Sequence, residues 1–587
     1  MTNNFFRKLV CIAFLISMAL FVNIKGQDKS LGTLMGTVKD SLNSESMPYA
    51  SVYIPEMNTG SSTDNRGIFV IPSIPIKKEY TVIVTFVGYA TKKMKVYIED
   101  EKITRIKVLL NKSDIEMESV TVTGERLRKE DATVQKILQK DIQLMTFGVE
   151  ADVMRTIQLQ AGVQSAGDVS AKYYVRGGAS NENLVLLNGT PIYNPFHALG
   201  IFSVIDPEMI NSLEFYKGGF NAQYDGRLSS VTNIVTKDGN KNDFGASASI
   251  SPLTVKSAIE GPIPNGSFMV TGRKSISNEI LKKFTNNESI PIDFYDASFK
   301  VNYSLPENFF LAKFTVFGFL SKDVIDYGSQ LHANYSWQNS HIGLNLFSIR
   351  QNSPAYGEFT IYYSKFSGSE LPNDGVSRTI LNDVNDLTLK ANYNYTLPDR
   401  NEFYWGARFY NIKTKLALSN ASLKTVETSE DGTTFISFMG FRLLSLENLK
   451  ADGSFVLNIL NMTKGAFSFE PRFNALYRLL PTLNLKFAWG IYQQELVTLS
   501  DENEVLSLFE PWVITPKYLG TPSAIHYIGG LDYYLTDKCK ITLEGYFKTM
   551  HNLTALNDDA FYPTDNQLVG ASGKSYGCET TINYQDR

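Results

Sequence analysis

The chain has 587 residues, of which 43% are hydrophobic and 20% charged, and this composition excludes a disordered or collagen-like protein. Its 56 Lys and Arg against 60 Asp and Glu leave a net charge of −4, so no nucleic-acid partner is expected, since such a partner needs a basic face. The excess is aromatic: 31 Tyr, 37 Phe and 4 Trp, beside 41 Gly. This balance favours a mainly β protein.

The N-terminus has the pattern of a secretory signal. Arg7 and Lys8 precede an apolar run over 9–22, and small Gly26 stands before a plausible cleavage point. Residues 1–26 are therefore predicted to be a signal peptide, with a retained N-terminal anchor as the alternative. Because no other long apolar run follows, the exported protein is either soluble or crosses a membrane with strands.

Residues 30–112 alternate short strand patterns with turns, and we expect a small β-sandwich. The predicted strands are 34–38, 50–54, 67–71, 80–86, 93–98 and 104–109. The segments 36–40, 48–52, 63–69 and 86–89 (GTVKD, PYASV, TDNRGIF and FVGY) occur in an order that resembles the carboxypeptidase-regulatory-like domain. That domain precedes outer-membrane receptors in Bacteroidetes-type bacteria.

Residues 113–130 are predicted to be a polar linker that contains one short alternating run. This run resembles a TonB box, and the resemblance implies a segment that adds to a sheet edge of the energising protein TonB. The alternative is a last strand of the sandwich. Its residues are Glu118, Ser119, Val120, Thr121, Val122, Thr123 and Gly124.

Residues 131–237 form a predicted α/β segment, with helices over 132–144 and 149–160 and a tight turn at Asn188-Gly189. The runs YYVRGG, LVLLNG, SLEFYKGG and YDGRLSSVTNIVTK, which end at residues 178, 189, 219 and 237, resemble in this order the plug domain of TonB-dependent receptors. The family's usual Asp in the turn is Asn188 here. With the preceding segments, the resemblance covers about residues 32–237.

From residue 238 to 587 the pattern changes to long strands with apolar and polar residues in alternation. Examples are 387–396, 483–492 and 541–548. Such strands predict a large antiparallel transmembrane β-barrel, apolar outside and polar inside, whereas a large soluble β-sandwich or propeller is the alternative. At about 25 residues for each strand and its connection, roughly 14 strands are expected. The family's barrel has 22 strands, so the barrel is expected to be partial.

Two cysteines test the predicted pairing of the last strands. If the runs on either side of residues 551–573 form a hairpin, Cys578 lies opposite about position 545 and roughly 20 Å from Cys539. A disulfide needs Cα atoms within about 7 Å, so no bridge between them is expected.

No catalytic or metal-ligand motif is found, and no enzyme activity, cofactor or metal is expected. None of the five His begins a His-Glu-x-x-His or His-x-x-Glu pattern, and there is no Gly-x-Ser-x-Gly elbow. Gly570 to Ser575 (GASGKS) lacks the first glycine of a phosphate loop, because residue 568 is Leu.

Four charged residues are expected to join the plug to the barrel wall. In the family resembled, plug arginines at the positions of Arg176 and Arg227 pair with glutamates of the barrel wall. The alternation places Glu544 and Glu579 on the inward face. We therefore hypothesise a plug–barrel lock of these four residues, with ordinary solvated lumen charge as the alternative.

The resemblance implies a TonB-dependent receptor in the outer membrane of a Gram-negative bacterium. It would import a siderophore, vitamin complex, glycan or peptide, driven by TonB and its inner-membrane energising complex, with a surface lipoprotein as a further partner. An adhesion or secretion-linked barrel with a structural plug is the alternative. Ligand contacts are expected at the plug apex, from Asn181, Asn183, Asn194, Phe196 and His197.

Overall fold

The computed structural model describes residues 31–99, 103–113, 132–145, 150–165, 172–197, 202–276, 292–305, 310–326, 333–350, 353–372, 379–419, 425–463, 467–499, 510–536, 538–556 and 568–584. The predicted signal peptide and the TonB-box-like residues 118–124 lie outside this set. No helix in the described part of the chain is long and apolar enough to span a membrane.

An N-terminal β domain of two sheets agrees with the predicted sandwich. One sheet has the order β4-β1-β7, with β7 parallel to β1, and the other has the order β3-β2-β5-β6. Leu34, Val52 and Val82, from both sheets, are fully buried in the core between them. The strands are β1 (Leu31–Asp40), β2 (Ser51–Ile54), β3 (Thr59–Ser62), β4 (Ile68–Pro75), β5 (Lys78–Thr85), β6 (Lys92–Ile98) and β7 (Ile103–Leu110).

The next segment is an α/β unit built on a five-stranded sheet of order β12-β11-β16-β15-β8. Two short helices, α1 (Gln139–Leu144) and α2 (Val153–Gln158), bury Ile142, Val153 and Ile157 in its core. The strands are β8 (Val134–Leu138), β9 (Val163–Ser165), β10 (Tyr173–Val175), β11 (Asn183–Leu187), β12 (Thr190–Pro191), β13 (Phe196–His197), β14 (Phe202–Ser203), β15 (Ile210–Tyr216) and β16 (Ser230–Thr236).

Two local predictions in this unit have different outcomes. The predicted helix over 132–144 is wrong in its first half, because Val134–Leu138 pairs with β15 as an edge strand and only Gln139–Leu144 is helical. Sheet pairing has overridden a helix-like spacing of apolar residues here. The turn between β11 and β12 is confirmed, since Asn188 (φ 51) and Gly189 (φ 80) both have the positive φ that a type I′ turn requires.

The rest of the chain forms one antiparallel sheet of 16 strands around the α/β unit, more than the 14 expected from an average repeat. The estimate was low because connections at one end have only two to five residues. The strands are β17 (Gly245–Ile250), β18 (Thr254–Ile263), β19 (Gly266–Ser275), β20 (Ile292–Ser304), β21 (Phe310–Ile325), β22 (Asn334–Arg350), β23 (Ala355–Leu371), β24 (Thr379–Thr396), β25 (Glu402–Ser419), β26 (Thr425–Leu443), β27 (Leu449–Leu460), β28 (Ser468–Leu480), β29 (Leu483–Gln493), β32 (Ser523–Thr536), β33 (Cys539–Leu556) and β34 (Leu568–Tyr584).

Between β29 and β32 the chain makes a separate two-stranded element, β30 (Leu496–Thr498) paired with β31 (Trp512–Ile514). It belongs to the 29-residue connection between Gln493 and Ser523, at the end of the sheet opposite the short turns. We call the two ends the short-turn end and the long-connection end.

The predicted alternation of the barrel strands is confirmed. Leu485, Phe487 and Leu543 are exposed on the outside, whereas the neighbouring Glu544 and Lys548 are buried towards the lumen. The register of the last hairpin also agrees with the prediction, since Cys578 lies opposite Gly545. Apolar side chains thus cover the outside while polar ones meet the α/β unit.

Candidate functional site

The α/β unit meets the sheet at a cluster of two cations and two carboxylates, which we call the plug–wall ion cluster. Arg176 Nε donates to Glu579 Oε1 (2.7 Å), and its Nη2 donates to Glu544 Oε2 (2.6 Å) and Glu579 Oε2 (3.0 Å). Lys217 Nζ bridges Glu544 Oε2 (3.0 Å) and Glu579 Oε2 (2.9 Å). All four residues are buried. Charge-assisted bonds of this length are the strong class of hydrogen bond.

Glycines allow the guanidinium to reach the wall. Arg176 itself has a left-handed backbone (φ 49) and is followed by Gly177 (φ 71), so the chain turns sharply after β10 and aims the side chain at β34. A Cβ on Gly162 would lie 2.0 Å from Glu579 Oε1, and one on Gly177 would lie 2.2 Å from Ser575 Oγ. Small residues at both positions therefore permit the close approach.

Sequence reasoning placed three of these residues correctly and missed the fourth. Arg176, Glu544 and Glu579 come together, but the second cation is Lys217 rather than Arg227. The available signal was the position of Lys217 between the end of β15 and Gly218-Gly219.

The expectation that Arg227 joins these glutamates is wrong, because the structure places its side chain elsewhere. Its guanidinium carbon lies 4.9 Å from the centroid of the Trp512 ring, and its Nη1 donates to Gly226 O (2.7 Å). It forms no ion pair with a described residue, and its buried Nε has no partner among them. Burial lowers the pKa of Arg227, although Tyr193 and Asp386 oppose that effect. The side chain borders a small cavity of about 40 Å³ that Asn181 and Asn194 also line.

A second charged contact holds His197 between two carboxylates of the wall. Its Nδ1 lies 2.7 Å from Asp323 Oδ2 and its Nε2 lies 3.1 Å from Asp296 Oδ2, and its ring stacks on Phe294. Arg273 donates to the same Asp296 oxygen (2.6 Å) and to Ser203 O (2.6 Å). Two acceptors require both ring nitrogens to carry hydrogen, which is the charged imidazolium.

The pKa of His197 agrees with this geometry. Burial by itself lowers the pKa, but Asp323 and Asp296 outweigh burial and the opposing charge of Arg273, so the pKa lies above its ordinary value. His197 is fully buried in this structure, and its expected contact with ligand stays a prediction. The side chain joins the plug to the wall.

Of the other predicted apex residues, two are buried within the plug and two lie at the small cavity. Asn183 is buried, its Nδ2 donates to Tyr173 O (2.9 Å) and its Oδ1 accepts from Ser230 Oγ (2.7 Å), so its side chain is engaged within the plug in this structure. Phe196 is also buried, and its carbonyl accepts from Trp337 Nε1 (3.0 Å). Asn181 and Asn194 are half-buried at the small cavity, so they remain candidates for ligand contact.

The β30–β31 element lies over the apex. Trp512 N donates to Asn382 Oδ1 (2.8 Å), and Asn382 Nδ2 donates to Trp512 O (2.8 Å), which ties β31 to β24 across the lumen. Trp512 also packs on Tyr193, and Gln494 Nε2 donates to Asn181 O (3.1 Å). In this structure the long-connection end of the apex is therefore covered.

Family models match two parts of the chain. Residues 34–122 match a CarboxypepD_reg-like domain, and residues 113–231 match the TonB-dependent Receptor Plug Domain. A comparison with curated proteins finds no match.

Solved structures are similar over most of the chain. The siderophore receptor PirA from Pseudomonas aeruginosa is 14% identical over 77% of this chain and 82% of its own, with a TM-score of 0.56. The ferric enterobactin receptor PfeA from Pseudomonas aeruginosa, as a mutant, is 13% identical over 79% of each chain, with a TM-score of 0.56. The alcaligin outer-membrane receptor FauA from Bordetella pertussis is 13% identical over 78% of each chain, with a TM-score of 0.54.

At these identities the structural likeness concerns the fold, and the plug match adds the domain that stands inside it. The chain thus combines the plug domain and the barrel fold of TonB-dependent outer-membrane receptors with an N-terminal carboxypeptidase-regulatory-like domain.

Proposed function

We propose that this protein imports a ligand across the outer membrane by TonB-dependent transport, with the plug as its gate. The observation that carries the proposal is the seating of the plug inside the sheet, where both the plug–wall ion cluster and the His197 contact hold it. A plug that closes a polar lumen needs a reversible attachment, and charged hydrogen bonds to a wall provide one.

Force would come from the periplasm. The TonB-box-like residues 118–124 precede the plug in sequence, so TonB, with its inner-membrane energising complex, would pair with them as an added strand. Short turns face the periplasm in outer-membrane barrels, which places the long-connection end and the plug apex outside. A surface lipoprotein is a further candidate partner at that outer end.

We further propose that the ligand carries negative charge. Arg227 is buried and forms no ion pair with a described carboxylate, so only the more distant Asp386 and the ring of Trp512 partly offset the cost of burying its charge. An anionic group that entered beside Asn181 and Asn194 would compensate it. The receptors PirA, PfeA and FauA are named for siderophores, so ferric siderophores are the first class to test, before vitamin complexes, glycans and peptides.

The test is deletion of residues 118–124 in the full chain, expressed in cells that have TonB. Radiolabelled ferric siderophores, supplied one at a time, are the probes. We expect uptake to fall to the level of cells without the receptor, while the amount of receptor in the outer-membrane fraction and ligand binding at the surface stay unchanged. A deletion of equal length over 125–131 is the matched control. Undiminished energised uptake after the first deletion would contradict the proposal.

A further inference from the structure

The N-terminal domain is packed against the barrel's short-turn end through a continuous apolar contact. Met35 of β1 and Ile68 of β4 form one buried cluster with Phe347 and Ile349 of β22. Val70, Ile103 and Tyr356 pack against its edge. Since apolar clusters of this kind exclude water, the two parts are joined by more than chance polar contacts.

Polar contacts surround that cluster. Arg66 pairs with Glu358 of β23, and its guanidinium carbon lies 4.8 Å from the centroid of the Phe347 ring. Asp64 holds the turn, because its Oδ1 accepts from the backbone N–H of Arg66 and of Ile68 (both 2.9 Å). A half-buried charge pair at the edge of an apolar cluster gives an interface orientation as well as affinity.

Further contacts extend the interface around the mouth of the barrel. Arg105 Nη2 donates to Arg350 O (2.5 Å), and Ser73 Oγ donates to Pro398 O. The domain therefore contacts the turns after both β22 and β24.

The same domain also contacts the plug and the segment that follows it. Tyr49 donates from its hydroxyl to Glu214 Oε1 (3.1 Å), and Asn211 Nδ2 donates to Ser46 O (3.3 Å). The backbone N–H of Asp238 donates to both carboxylate oxygens of Glu45 (2.9 Å each). A plug that shifts in the barrel would therefore strain or break these contacts.

Plug, wall and N-terminal domain together line a cavity of about 1260 Å³. Lys136 lines it from the plug, Asn394 and Lys450 line it from the wall, and Arg66 and Lys107 line it from the N-terminal domain. This chamber lies between the plug and the periplasm, on the path of anything that passes the plug.

We propose that the N-terminal domain is an inner gate, which closes the periplasmic mouth of the barrel while the plug is seated and must undock before a ligand leaves. The role of this domain as a gate rests on the proposed transport function. The docked interface and the shared chamber follow from the contacts alone, whatever the protein transports.

The experiment measures access to the chamber with a 5-kDa polyethylene-glycol maleimide, on the purified full-length receptor in detergent. The three native cysteines are replaced by serine, and one reporter cysteine is introduced at a time. Asn394→Cys places the thiol in the chamber. The substitution breaks no hydrogen bond of the buried Asn394 Oδ1, because that atom has no partner among the described residues. Glu447→Cys, on the exposed turn between β26 and β27, is the matched reporter outside it.

With the gate closed, we expect the thiol at position 394 to react about tenfold more slowly than the thiol at 447. Adding Glu358→Arg or Arg66→Ala, which remove the charge pair at the interface, should bring the rate at 394 close to that at 447. Glu370→Arg reverses a charge on the same strand at its other end, and should leave the rate at 394 slow. The heat-dependent shift in gel mobility reports that each variant keeps a folded barrel.

Equal rates at 394 and 447 without the interface variants would overturn the gate. So would a slow rate at 394 that neither interface variant raises, because something other than this domain would then close the chamber. These rates need neither ligand nor energy, whereas failure of the transport proposal appears as undiminished uptake after deletion of 118–124.

Discussion

In the plug–wall ion cluster, two carboxylates that repel each other on the wall form a site for the cations of the plug. Glu544 and Glu579 are directly opposite each other on β33 and β34, a like-charge pair that destabilises a sheet. Arg176 and Lys217 compensate both carboxylates, but only while the plug is seated. Plug release therefore leaves two adjacent carboxylates on the wall with only Lys486 of β29 near Glu544 (Nζ to Oε1, 3.8 Å), which favours return of the plug.

Replacing Arg176 by Gln should destabilise the seated plug by about 3 kcal/mol, because Lys217 is then the one cation of the ion cluster that the plug still offers to two buried carboxylates. The urea midpoint of plug release, followed by tryptophan emission, measures it, since Trp337 and Trp512 contact the plug. Arg227→Gln is the control, and should cost much less because that side chain has no ion pair with a described residue. Adding Glu579→Gln to Arg176→Gln should recover part of the loss. Equal midpoints for the two single variants would contradict this role of the cluster.

Glu45 makes docking of the N-terminal domain depend on pH. Burial, and then the neighbouring Asp238 carboxylate, raise the pKa of Glu45 from its ordinary 4.5 to about 7. A carboxyl group with a raised pKa stabilises the folded state fully below about pH 4.5, and this contribution is lost as the pH rises through about 7.

We therefore expect Glu45→Gln to raise the thermal midpoint relative to wild type by about 2–4 °C at pH 8 and not at pH 5. Differential scanning fluorimetry of the full chain at both pH values measures it. Glu56→Gln, at a more exposed carboxylate of the same domain, should change the midpoint equally at the two pH values. A gain from Glu45→Gln that does not depend on pH would argue against a raised pKa.

Among the elements, the β30–β31 pair covers the plug apex and packs Leu496, Trp512 and Ile514 into an apolar cluster with Val384 and Ile412 of the wall. Beside this packing, the side chain of Asn382 makes the polar attachment to β24, since it hydrogen bonds to both backbone groups of Trp512. An element held by so few polar bonds is a candidate for opening when ligand arrives.

Replacing Asn382 by Ala should open this cover, since each of the two bonds contributes about 1 kcal/mol. Labelling of Asn181→Cys by a membrane-impermeant maleimide on intact cells should then become about tenfold faster. Asn385→Ala changes an outward position of the same strand, hydrogen bonded to Tyr363, and should have no effect. An unchanged labelling rate in Asn382→Ala would show that Asn382 does not hold the cover in place.

At the scale of the whole molecule, three barriers follow one another along the lumen. The β30–β31 cover lies over the apex, the plug is held by the ion cluster and by His197, and the N-terminal domain lies across the short-turn end. Tyr49 contacts Glu214 of the plug and Glu45 contacts Asp238 just after it, so a plug that moved would disturb the docking of the proposed gate. Such coupling would let ligand pass while at least one barrier remains closed.

The sequence by itself determined the order of the domains, the strand pattern and the inward face that carries Glu544 and Glu579. These features depend on local periodicity and turn chemistry, as the Asn188-Gly189 turn and the pairing of Gly545 with Cys578 show. The helix-like spacing of apolar residues gave a wrong prediction at Val134–Leu138, which is a strand. Its pairing with β15 depends on a distant part of the chain and has no local signal in the sequence.

Only the tertiary structure decided the other charge partners. Lys217 rather than Arg227 completes the ion cluster, His197 lies between Asp296 and Asp323, and Arg66 reaches Glu358 at the mouth of the barrel. In each pair the partners are about 100 to more than 350 residues apart in sequence. Their distance depends on how the plug and the N-terminal domain sit against the barrel, which long-range packing sets and residue spacing does not.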